Sequence, residues 1–440
     1  MPVQASGTTS RKRIFTSSGI VLFLLCVMYA FTYIDRTNVS MAAPFFGREL
    51  HFDNTEIGLV FSAFAYPYLV LQFVGGWFSD QYGARLTLTL CTIIWAGATV
   101  LTGLAGGLAS MLFARVLLGF GEGATFPTAT RAMSDWLPEG KWGFGQGITH
   151  SSSRLANALT PPIVASLILM VTWRGAFVVL GVISFAWAIA WVWYYRDNPA
   201  DHPGITPQEL ALLPKRLPGV QKKKEPVPWG PLCRRMLPVT VVYFCYAWTL
   251  WMYFAWIPLF FLHDYKLNLK NSALFSALVF SAGVVGDTLG GVITDKILIK
   301  TGNRDRARRD LVVAGFLLSL GSLVPIFFIR NIMVVAICLS MAGFFSELTI
   351  GPMWAIPMDI APRFSGSASG VMNSGSALAA IVSPLVFGFV IDKTGNWDLP
   401  FIGSIGLLLF GAIMAFWMKP GQPLPGAGVD DIPAVNEAGA

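Results

Sequence analysis

The sequence predicts an all-α membrane protein: twelve transmembrane helices in two pseudo-symmetric bundles of six. Three observations predict it. Of 440 residues, 54% are hydrophobic and only 12% are Asp, Glu, Lys or Arg, about half the charged share of a soluble domain. Apolar runs near the roughly 20 residues that cross a bilayer as a helix recur along the whole chain. The lysines and arginines then fall mostly on alternate loops between those runs.

The expected spans are 18–40, 55–79, 85–106, 109–134, 142–169 and 173–195, then 236–263, 271–298, 311–329, 332–358, 367–391 and 398–418. Arg11, Lys12 and Arg13 precede the first, as they would a signal peptide. The run from Ile14 to Ile34 is long enough to span and has no clear small-residue cleavage site after it, so it reads as an uncleaved first helix. The chain divides into an N-tail (1–17), a first bundle (18–196), a linker (197–235), a second bundle (236–418) and a C-tail (419–440). The linker is Pro-rich, carries Lys222, Lys223 and Lys224, and has a short surface helix expected near Pro207–Lys215. The C-tail is Gly/Pro-rich and acidic, a composition that favours disorder.

With the N-terminus inside, and residues near span ends counted with the adjoining loop, 22 Lys and Arg lie on inner segments, 6 on outer ones and 3 deep within spans. This bias predicts that both termini face the cytoplasm. It also accounts for the net charge of +7 without nucleic acid, since no basic groove or aromatic platform accompanies it. Five cysteines, without CxxC or Cys/His spacing, indicate neither a disulfide framework nor a metal site. No His-box, GxSxG or HExxH motif is present, which argues against a membrane enzyme. No cofactor is expected.

An internal echo supports the two halves. Gly76-x-x-x-Asp80 follows the second span, with Gly83 and Arg85 after it. Gly291-x-x-x-Asp295 follows the eighth, before the basic stretch Arg304 to Arg309. Parallel duplicated halves enclose a substrate site near the midplane.

Charges at membrane depth are costly and mark function or pairing. Asp35 and Arg36 end the apolar run of the first span, and adjacent helical residues point about 100° apart, so they serve different faces. Arg115 and Glu122 share a face of the fourth span but stand about 10 Å apart along it. Either can meet Asp35 or Arg36 across the helix interface. Glu122 lies among Gly119, Gly121 and Gly123, which permit close helix approach. A buried acid there weighs desolvation, which favours its protonated form, against a nearby guanidinium, which favours the charged one. In the fifth span His150 and Arg154 share a face; Arg154 is either a second anion grip, suited to a dicarboxylate, or the partner of Glu122 or another acid. Asp287, in the eighth span, reads as a helix-contact residue, and Glu347, in the tenth, as either lumenal or bonded to a neighbour. The seventh span carries Tyr243, Tyr246, Trp248, Trp251, Tyr253 and Trp256, a set more typical of packing than of ligand binding.

The runs Tyr33 to Asn38, Phe61 to Tyr68, Gly75 to Trp77, Arg115 to Pro127 and Trp354 to Pro362, with the Gly-x-x-x-Asp-x-x-Gly-x-Arg signal, resemble the major facilitator superfamily. The finer resemblance is to its anion:cation symporter branch, which includes bacterial galactonate, hexuronate and glucarate transporters and sialin-like proteins. It covers nearly all the chain except the tails and the linker. The resemblance implies proton-coupled import of an organic anion, with sugar acids (hexonates, hexuronates or aldarates) leading and other small mono- or dicarboxylates as the alternative. It implies Asp35 and Glu122 as proton-coupling acids and Arg115 as their charge partner. Arg36, Tyr33, Tyr68, Trp354 and Asn373 become substrate ligands, joined by Ser152, Ser153 and Arg154. At Ser152 and Ser153 this chain departs from relatives that carry a side-chain amide. Asp80, Arg85 and Asp295 would form a conformational latch. The partners implied are the anion, the proton and the lipid bilayer, for a monomer in a bacterial plasma membrane. An exchanger of phosphorylated metabolites would need an Arg inside the seventh span; only Arg234 and Arg235 lie there, before or at its start. A transport-inactive sensor would keep binding and lose flux.

Overall fold

The computed structural model describes residues 16–52, 54–214, 226–267 and 269–425. They form fifteen α-helices and short 3-10 or π turns. The first span is α1 (Ser17–Glu49), opened by Thr16, whose hydroxyl accepts from Gly19 N at 3.1 Å. Next come α2 (Asn54–Ser62) and α3 (Ala65–Tyr82), α4 (Ala84–Gly103), then α5 (Leu108–Gly123) and α6 (Thr125–Trp136). α7 (Trp142–Tyr194) breaks at Val171 and Thr172, where φ is −135° and 70°, and so supplies the fifth and sixth spans. α8 (Pro207–Leu212) is the surface helix of the linker; Lys215 and the three linker lysines lie outside the described residues. The second half is α9 (Trp229–His263), α10 (Leu269–Thr301), α11 (Leu311–Leu323), α12 (Ile332–Glu347), α13 (Ile350–Ile360), α14 (Ser365–Thr394) and α15 (Leu399–Met414). Among the described residues, ten segments are long and apolar enough to cross a membrane. α14 and the part of α7 before its break complete the expected twelve. Large apolar side chains on the outside, such as Leu169 at 85% and Phe328 at 81% exposure, mark surfaces that lipid covers.

Three expected spans are broken rather than continuous, and one rule places every break. A proline cannot donate to the carbonyl four residues earlier and its ring clashes there. Pro67, Pro127 and Pro352 put that point at Ala63, Gly123 and Leu348, where α2 meets α3, α5 meets α6 and α12 meets α13. Beside that break, the Glu122 carbonyl accepts from the Thr125 hydroxyl at 2.7 Å.

The linker is tied to the first helix. Thr206 caps α8, and Glu209 in its first turn accepts from Ser18 N at 2.7 Å and Ser17 N at 3.3 Å. Those two amides are among the four that an α-helix start leaves unpaired.

The halves meet on the face of the even-numbered loops, and the Gly-x-x-x-Asp echo builds both contacts. Asp80 accepts from Gly366 N (3.1 Å) and Ser367 N (2.6 Å) at the start of α14. Asp295 accepts from Gly143 N (3.1 Å) and Phe144 N (2.6 Å) at the start of α7. Each carboxylate thus meets the positive end of a helix from the other half. The glycine four residues earlier makes room: a Cβ on Gly76 would stand 2.4 Å from Gly366 O, and one on Gly291 equally 2.4 Å from Gly143 O. Gly76→Val is therefore expected to hold this face apart, at an overpacking cost of about 1–3 kcal/mol in the closed state. Spin labels at Lys141 and Lys300 should report a longer distance in the variant; an unchanged distribution would contradict the contact's role.

Candidate functional site

The centre of the first half is built on Arg36. Its Nε donates to Glu122 Oε2 at 2.7 Å, with Glu122 fully buried and the Arg36 side chain 12% exposed. Four rings cradle the guanidinium: Tyr68 at 4.7 Å, Tyr33 and Phe126 at 5.2 Å, and Phe64 at 5.3 Å. Such faces attract a cation through their quadrupole and exclude water from it. Arg36 Nη2 makes no hydrogen bond, so one tine of the fork remains for a ligand. The break at Gly123 and Ala124 sets Glu122 at the end of α5, where glycines allow the approach: a Cβ on Gly119 would meet Phe64 O at 2.3 Å.

Asp35 points to a different face of the helix, as the 100° step requires. It is buried, accepts from Asn38 Nδ2 at 3.1 Å, and its second oxygen has no hydrogen bond. Arg115 reaches neither acid by a direct ion pair of its guanidinium. It donates to the carbonyls of Val60 (3.3 Å) and Asp35 (3.5 Å) and lies over Phe64. Expected as the charge partner of the two acids, it meets backbone carbonyls of the first and second spans instead.

Arg154 does not pair with Glu122. It reaches across to the second half, donating from Nη2 to Glu347 Oε2 (3.1 Å) and Tyr246 OH (3.2 Å), with Asp287 Oδ2 3.9 Å from Nε. Its Nη1 donates to Tyr33 OH at 3.0 Å. Tyr246 also donates to Glu347 at 2.8 Å. Asp287, expected at a helix contact, and Glu347, expected to be lumenal or bonded to a neighbour, are thus joined in one buried charge cluster. A sequence signal for this existed: Glu122 stands five residues before Pro127, and Glu347 five before Pro352. In both halves an acid at a proline-induced break holds an arginine.

The other expected ligands divide. Trp354 donates to Tyr243 OH at 2.8 Å and packs on Phe126 and His150 at 6.3 and 5.1 Å, continuing the aromatic floor below Arg36. His150 is a packing ring between Tyr29, Phe126 and Trp354. Asn373 donates to Gln72 Oε1 at 2.8 Å, about one helical turn from Tyr68. Ser152 and Ser153 do not offer their hydroxyl protons to the site: they donate to Ile148 O and His150 O of their own helix. Ser151 is the serine that crosses to the second half, 2.6 Å from Thr288 and 2.9 Å from Val284 O. Arg85 spends its guanidinium on Val192 O at 2.6 and 3.1 Å, within its own half, rather than across the latch. Arg131 is the cation near Asp80, at 3.9 Å, and it also donates to Pro362 O and Arg363 O at 3.0 Å. In the second half Arg308 bridges Asp295 (3.0 Å) and Asp359 (2.9 Å).

Comparison with known proteins agrees with this architecture. The family model of the Major Facilitator Superfamily matches residues 25–384 and 300–435. A probable sulfoacetate transporter of Cupriavidus necator is 44% identical over 402 residues, covering 91% of this chain and 94% of its own. A hexuronate transporter of Bacillus subtilis is 28% identical, covering 90% and 92%. Among solved structures, a major facilitator transporter in the outward conformation superposes with a TM-score of 0.68 at 14% identity, over 91% of this chain and 99% of its own. The protein is a multi-pass membrane transporter and not an enzyme. By family model, by sequence and by fold, the chain belongs to the Major Facilitator Superfamily, among the anion:cation symporter relatives that its motifs resemble.

Proposed function

We propose that the protein imports a small organic anion together with protons, by rocking the bundles 18–196 and 236–418 about a central site. The Arg36–Glu122 pair carries this reading. An anion that takes the free nitrogen of Arg36 competes with Glu122 for its charge, and two anions sharing one cation at that depth are too costly to keep both charged. Glu122 therefore binds a proton as Arg36 binds the anion, and the two travel together. Asp35 is the second proton carrier, buried behind the same helix with one oxygen free to accept. Tyr33, Tyr68 and Trp354 bound the ligand, and Asn373 lies at its lower edge. Asp80 and Asp295 serve as the latch of the even-loop face, which the charge count assigns to the cytoplasm along with both termini.

The substrate class is narrower than sugar acids at large. The relative with 44% identity is named for sulfoacetate, while the sugar-acid relatives cited stand near 28%. That difference favours a short carboxylated or sulfonated anion over a hexonate. Reconstituted vesicles test the coupling: uptake should rise with an inward proton gradient and collapse with a protonophore. Uptake indifferent to both would remove the symport mechanism.

A further inference from the structure

The coupling just described gives Arg154 no task, yet this arginine stands beside the Arg36 site. Tyr33 links them. Its ring centroid is 5.2 Å from the Arg36 guanidinium carbon and 5.6 Å from that of Arg154, so the two cations are at most about 10.8 Å apart. Each keeps a donor without a hydrogen bond, Nη2 on Arg36 and Nε on Arg154.

Resting on the transport reading above, we infer that Arg36 and Arg154 are the two ends of a clamp that selects short dianions by length. A charge-assisted guanidinium–carboxylate contact sets the two carbons roughly 4 Å apart. End groups separated by one tetrahedral carbon lie roughly 2.5 Å from each other. Such a dianion, gripped at both ends, spans on the order of 10.5 Å between the cations and stays within that bound. An extended six-carbon diacid needs on the order of 14 Å and exceeds the bound.

The clamp also has a cost that ties it to movement. Arg154 belongs to the first half, and Glu347, Asp287 and Tyr246 to the second. A ligand that takes Arg154 loosens its hold on Glu347, which keeps the Tyr246 hydroxyl at 2.8 Å. Occupation of the second cation therefore releases a contact between the halves, so only a ligand long enough to reach it and short enough to hold Arg36 as well loosens that contact. A monoanion held by Arg36 alone leaves it intact.

Calorimetric titration of the purified full-length protein with malonate, succinate, adipate, galactarate and the monoanion gluconate tests this. Malonate is expected to bind at least about tenfold tighter than adipate or galactarate. Arg154→Gln should weaken malonate by about 10- to 100-fold, the range of a charge-assisted hydrogen bond, and change gluconate less than about threefold. Should that variant fail to fold, Glu347→Gln serves: as a neutral isostere it frees Arg154 and should strengthen malonate binding, and unchanged or weaker binding overturns the clamp. Six-carbon diacids as tight as malonate, or equal losses for all anions in Arg154→Gln, also overturn it. In those cases proton-driven uptake of gluconate would leave the transport reading standing, whereas no binding or uptake of any small anion would overturn both.

Discussion

Arg36→Ala is expected to lower substrate affinity by a hundredfold or more while leaving a folded protein. The size follows from removing a cation from a desolvated, aromatic-lined site: a charged partner lost there costs about 2–5 kcal/mol. Folding survives because Glu122, deprived of its ion-pair partner at 2.7 Å, can take up a proton instead of remaining a buried charge. Arg36→Lys should be almost as poor. Lysine offers a point charge, and it cannot hold Glu122 with one nitrogen while presenting another to the ligand. Thermal stabilisation by a bound anion, measured in detergent, checks this directly. Near-normal affinity in well-folded Arg36→Ala protein would rule out this arginine as the anion grip.

The second large effect is expected at Glu122. Glu122→Gln imitates the protonated acid permanently, so Arg36 is always available and anion binding persists. Exchange of internal for external anion should continue, because that exchange needs no net proton movement. Accumulation against a gradient should vanish. In the native protein each coupled proton supports about tenfold accumulation per unit of pH difference, since one unit is worth about 1.4 kcal/mol; the variant should settle at equal concentrations on both sides. Continued accumulation in Glu122→Gln vesicles would show that coupling resides elsewhere, with Asp35→Asn the next variant to measure. A double-mutant cycle between Arg36 and Glu122 separates the pair's own energy from that of the ligand.

Much of the candidate site was legible in the residue order. Asp35, Arg36 and Glu122 stand out because charge inside an apolar run has few bland explanations. The different facing of Asp35 and Arg36 follows from helical angle alone. The aromatic identity of Tyr33 and Tyr68 was visible too, though their convergence on one guanidinium was not. Asp287 and Glu347 were undervalued, because their partner, Arg154, lies far away in sequence and in the other half. The serines were overvalued: a hydroxyl in a helix can bond the carbonyl three or four residues back, and Ser152 and Ser153 do so. Arg85 was assigned to the latch by its motif, while its long side chain found Val192 O in the same half.

By itself the sequence determined the number of spans, their lengths and the repeated halves. These depend on local quantities: hydrophobic length and the spacing of Gly-x-x-x-Asp. Only the tertiary structure decided which buried acid meets which arginine. Ion pairs between helices depend on rotation, depth and register of segments distant along the chain, none of which hydrophobic periodicity encodes when a helix is apolar nearly all round. Arg36 and Glu122 lie 86 residues apart, and Arg154 and Glu347 lie 193 apart. What joins each pair is close packing at glycines beside proline breaks, where backbones approach near enough for a long guanidinium to choose its carboxylate.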